Sequence, residues 1–174
     1  MSINMVMQGR RDWFNRLKTT QSKALTGQCD MLVELDLGQP AFERLKTVTS
    51  NYILAGLQQP YPAASEAELM ALVDSRVDDM ANRTPNGVLM PKKELEEEFH
   101  LLHQTVASYI QSLNIDSTIS SAQCPIIVRL VKGSADISDE RRYASSKIHL
   151  DPWNGDPADE VIVSIPVLGD IDRT

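Results

Sequence analysis

A chain of 174 residues, 42% apolar and 24% charged, has the composition of an ordinary soluble protein and is long enough to build one hydrophobic core. Its 17 basic and 24 acidic side chains leave a formal charge of −7, which argues against nucleic acid as a general partner, since phosphate-binding surfaces need clustered Lys and Arg. Cys29 and Cys124 lack metal or redox spacing, MSINMVMQGRRDWF reads as no signal peptide, and no apolar run approaches the roughly 20 residues of a membrane span. These features predict reduced thiols, no membrane partner and a cytoplasmic setting.

The spacing of Trp13, Phe14, Leu17 and Ala24 predicts a first helix over 8–25, with Gly27 available to end it. The short apolar run 31–37, closed by Gly38, predicts a strand. Pro40 then opens a helix whose Phe42, Leu45, Val48, Thr49, Tyr52, Ile53 and Leu57 recur every three or four residues until Pro60 and Pro62 break the pattern. Ser65 and Glu68 form a capping box for a helix over 66–82, carrying Leu69, Leu72, Val73, Val77 and Met80. A loop over 82–87 follows. A third long helix is expected over 91–114, with Leu95, Phe99, Leu102, Val106, Tyr109, Ile110 and Leu113 on its apolar face. These stripes are too broad to leave in water, so the helices are expected to back a sheet.

Beyond Asn114 the chain changes character. Residues 124–131 read as a buried strand interrupted by Arg129, 133–142 as an exposed loop, and 146–150 and 161–168 as two further strands. Helices first and strands later predict an α+β fold in one domain, with a helical half over about 1–114 and a β half over about 122–174.

The chemistry concentrates in the stretch YASSKIHLDPWNGDPADEVIVSIPVLGD, residues 143–170. On a strand, Lys147, His149 and Asp151 share one face and Ile148 and Leu150 the other. An imidazole and a carboxylate held two residues apart supply two thirds of a two-His-one-carboxylate site for Fe(II). Alternatively, the pair is a hydrogen-bonded brace with no metal. Trp153, Asn154 and Asp156 follow in a loop punctuated by Pro152, Gly155 and Pro157. Trp153 serves there either as a stacking surface for substrate or as a plug folding the loop down. Arg129 points either to solvent or inward as a bidentate carboxylate partner. On the third helix, Glu97 and His100 have the spacing of a di-iron ligand pair, with His103 one turn on, but no second such pair occurs. The acidic residues Glu96, Glu97 and Glu98 are more simply a solvated helix start.

The His149-Leu150-Asp151 motif, its Pro/Gly loop, and the apolar run closing on Leu168, Gly169 and Asp170 together resemble the Fe(II)/2-oxoglutarate-dependent oxygenases, most nearly the phytanoyl-CoA dioxygenase-like branch. The resemblance covers about the last fifty residues. It implies N-terminal helices packed on a partial double-stranded β-helix, a jelly-roll or cupin-like sheet. It also implies Fe(II) on His149 and Asp151, which would lie within roughly 4 Å of each other given short metal–ligand distances. The 2-oxoglutarate cosubstrate would be met by Lys147 or Arg129, and a small-molecule substrate by Trp153 and Asn154. Members of this family draw a second His and a cosubstrate-anchoring base from later strands, and no His follows His149 here. The resemblance therefore implies a chain truncated after the His-x-Asp strand, with little oxygenase activity of its own. The apolar run 161–168, unpaired at a sheet edge, is then expected either to be shielded by a second subunit in a homodimer, the favoured outcome, or to be covered by the N-terminal helices. The other reading of the same residues is a non-catalytic cupin-like binding module.

Overall fold

The computed structural model describes residues 3–20, 22–23, 34–35, 39–60, 62–63, 65–85, 87–112, 121, 126–130 and 162–169. The chain divides into two compact units, one of Met1–Leu37 with Ser146–Ser164 and one of Gly38–Ser145 with Ile165–Thr174. The change of composition at Asn114 is not this boundary, because the helices between residues 39 and 112 and the strand at 128–129 belong to the same unit.

In unit 1, helix α1 spans Ile3–Thr20, and strand β1 (Ser22–Lys23) pairs antiparallel with β2 (Glu34–Leu35). The expected helix over 8–25 thus starts earlier and stops sooner. The strand expected over 31–37 contains β2.

Unit 2 is organised by α2 (Gln39–Gly56), whose Leu45, Val48, Thr49, Tyr52 and Ile53 are buried at the spacing of one helix face. The helix ends before Pro60 rather than against it. Gln58 turns left-handed at φ 56°, the Gln59 amide donates to the Leu54 carbonyl at 2.9 Å, and the Gln58 amide donates to that of Ala55 at 3.0 Å. This pair of bonds is a Schellman stop, which satisfies carbonyls that the helix end would orphan.

Helix α3 covers Glu66–Arg76. The Ser65 hydroxyl caps it, accepting the Glu68 amide at 3.1 Å, and Leu69 and Val73 face the core. The expected span to residue 82 is shortened because Val77–Asp79 tightens into a 3₁₀ turn. Asp78 and Asp79 are weak helix formers, and Asp78 is held instead by the Arg83 guanidinium at 3.0 Å. Val77 and Met80 still reach the core.

The loop over 82–87 is more structured than its composition suggests. Thr84 closes it, its amide donating to the Val88 carbonyl at 2.8 Å and its hydroxyl accepting the Val88 amide at 3.0 Å. Strand β3 (Val88–Leu89) emerges from this turn. It pairs antiparallel with β4 (Val128–Arg129), Val88 opposite Arg129 and Leu89 opposite Val128. Gly87 sits at the crossing with φ +85°, and its carbonyl accepts the Leu130 amide at 2.8 Å.

Helix α4 (Glu96–Ser112) begins later than Pro91, after a 3₁₀ turn over Lys93–Leu95. Its Leu102, Thr105 and Tyr109 are buried, and its most extensive packing is against α2. Phe99 is half-buried, with its ring centroid 5.8 Å from that of Tyr52. The helical stripes therefore meet chiefly one another, and Leu89, Val128 and Leu130 of the small ribbon join the same core.

Candidate functional site

Most of the residues singled out from the sequence, His149, Asp151, Lys147, Trp153, Asn154 and Asp156, lie outside the described residues. So do Asp170, Cys29, Cys124 and the expected proximity of the His149 and Asp151 side chains.

Arg129 is described. The segment 126–130 is not buried on both faces, as its apolarity suggested, but alternates. Ile126, Val128 and Leu130 pack on the core, while Ile127, 56% exposed, and Arg129 face outward. Of the two orientations open to Arg129, the structure has the outward one. Its aliphatic stem lies by Gly87, where a β-carbon would sit 3.5 Å from Arg129 Cγ.

Of the histidines on α4, His100 is exposed, and His103 is half-buried with its ring centroid 6.3 Å from that of Phe99. Among the described residues no three His, Cys, Asp or Glu side chains are grouped to hold a metal ion. Between α2 and α4 lies a shallow groove of about 130 Å³ lined by Val48, Asn51, Glu97, Glu98 and Leu101. The Asn51 side-chain oxygen there is buried without a hydrogen-bond partner.

A more connected arrangement occurs where α2, α3 and the C-terminal segment meet within unit 2. Residues 162–168, expected as a strand, join no β-ladder among the described residues, and Leu168 and Gly169 form a bend. Ile162 and Val163 are exposed, whereas Ile165, Val167 and Leu168 lie against the hydrophobic core. Gly169 has φ +98°, a backbone state that favours glycine, and a β-carbon there would lie 3.6 Å from Met70 Cε. Nearby, the Glu66 carboxylate in the first turn of α3 is paired with the Lys46 ammonium of α2. The Lys46 hydrogen bond is the main cause that holds Glu66 below the usual carboxylate range; the Gly169 amide adds to it, and partial burial opposes both. The same bond raises Lys46 above its ordinary value. Nothing in the local sequence around Glu66 announces its pairing with Lys46 from α2.

Deeper in the unit, the Tyr52 hydroxyl lies beside the Asn82 carboxamide, but neither the hydroxyl nor the Asn82 oxygen makes a hydrogen bond of good geometry. Asn82 instead donates to the Met90 carbonyl at 3.3 Å. Burial raises the Tyr52 phenol above its ordinary value, and the Asn82 contact opposes that in part. No helix among the described residues is long and apolar enough to cross a membrane.

Compared with known proteins, the chain matches no family model, and no curated protein or solved structure is significantly similar to it.

Proposed function

We propose that this chain is an Fe(II)/2-oxoglutarate-dependent oxygenase-like protein that oxidises a small molecule, with His149 and Asp151 as its metal-binding pair. The observation that carries the reading is the linear constellation itself: His149-Leu150-Asp151, a loop marked by Pro152, Gly155 and Pro157, then an apolar run closing on Leu168 and Gly169. The bend at Leu168 and Gly169 supports it at the far end, where a turn is expected.

The donor set suits the ion by type. A neutral imidazole and a carboxylate are ligands that Fe(II) accepts, and two protein ligands leave positions for a chelating cosubstrate. His149 and Asp151 would hold the metal, which together with 2-oxoglutarate supplies the oxidising chemistry. The chain's own part is binding and orientation. Lys147, two residues before His149, would meet a 2-oxoglutarate carboxylate, since a buried ammonium needs an anionic partner. The outward Arg129 is available to an anion arriving from solvent. Trp153 and Asn154 would contact substrate, the indole by stacking and the carboxamide by hydrogen bonding.

Anaerobic titration with Fe(II) and 2-oxoglutarate tests this reading. A weak visible charge-transfer band is expected, lost in His149→Ala and in Asp151→Ala. A solution that stays colourless at saturating metal and cosubstrate refutes the proposal and leaves the non-catalytic binding module in its place.

A further inference from the structure

We draw no further inference here: the strongest candidate, the shallow groove between α2 and α4 where Glu97 and Glu98 flank Asn51, carries nothing, because the Asn51 side-chain oxygen is closed off from solvent and nothing in the structure shows what covers the groove.

Discussion

Replacing Gly87 by alanine tests the account of unit 2 at its tightest backbone contact. Gly87 has φ +85°, and an added β-carbon would lie 2.3 Å from the Leu130 carbonyl oxygen and 3.2 Å from its carbon. Those atoms are backbone, so no side-chain rotation relieves the overlap. Holding a non-glycine residue in a left-handed state costs of order 1–3 kcal/mol. Separating the strands enough to admit the methyl group also breaks the 2.8 Å bond from the Leu130 amide to the Gly87 carbonyl, a loss of about 1 kcal/mol. The expected destabilisation is about 2–4 kcal/mol, a fall in Tm of roughly 5–15 °C for a chain of this size. Both tryptophans, Trp13 and Trp153, belong to unit 1, so far-UV circular dichroism during urea and thermal unfolding is the suitable probe. A Gly87→Ala variant within about 0.5 kcal/mol of the parent would refute both the left-handed assignment and the β3–β4 register.

Two further outcomes follow from the same core. Ser65→Ala should cost about 1 kcal/mol through loss of the cap on the Glu68 amide, with Ser65→Asp restoring most of it in urea titrations. Tyr52→Phe should change stability by no more than about 1 kcal/mol at neutral pH, because the hydroxyl it removes lacks a well-formed hydrogen bond. It should also blunt alkaline unfolding. Burial holds the Tyr52 phenol above its ordinary value of 10.0 in the folded state, so its contribution is complete below that pH and is lost as pH rises toward the folded value. Equal alkaline midpoints for Tyr52→Phe and the parent would show that burial of this phenol is not what limits stability at high pH.

The helical part of unit 2 was legible because its side chains are simple. Leu45, Val48, Tyr52 and Ile53 repeat at helical spacing, and a serine three residues before a glutamate marks the start of α3. The helix ends were less legible. A left-handed stop is usually written with glycine, but here Gln58 takes that place, so Pro60 looked like the terminator. Strand β3 left no trace because two residues cannot show alternation, and their partner lies beyond α4. Ile127 hid the alternation of β4, since an isoleucine exposed at 56% looks the same in sequence as one that is buried. The bend at Leu168 and Gly169 was legible from its glycine, but its place beside Met70 of α3 was not, because a long-range approach has no local signature.

The β3–β4 ribbon also has a kinetic consequence. All of α4 lies between its two strands in the chain, so pairing Leu89 with Val128 means closing a long loop for very few hydrogen bonds. Forming that pair early is entropically poor; once α4 has packed on α2, much of the closure cost has already been met. Refolding should therefore run from the α2–α4 pair to the ribbon. Leu102→Ala, in that early contact, should slow refolding, whereas Gly87→Ala should act mainly by hastening unfolding. This small ribbon thus becomes the last part of unit 2 to assemble and the point from which the unit begins to come apart.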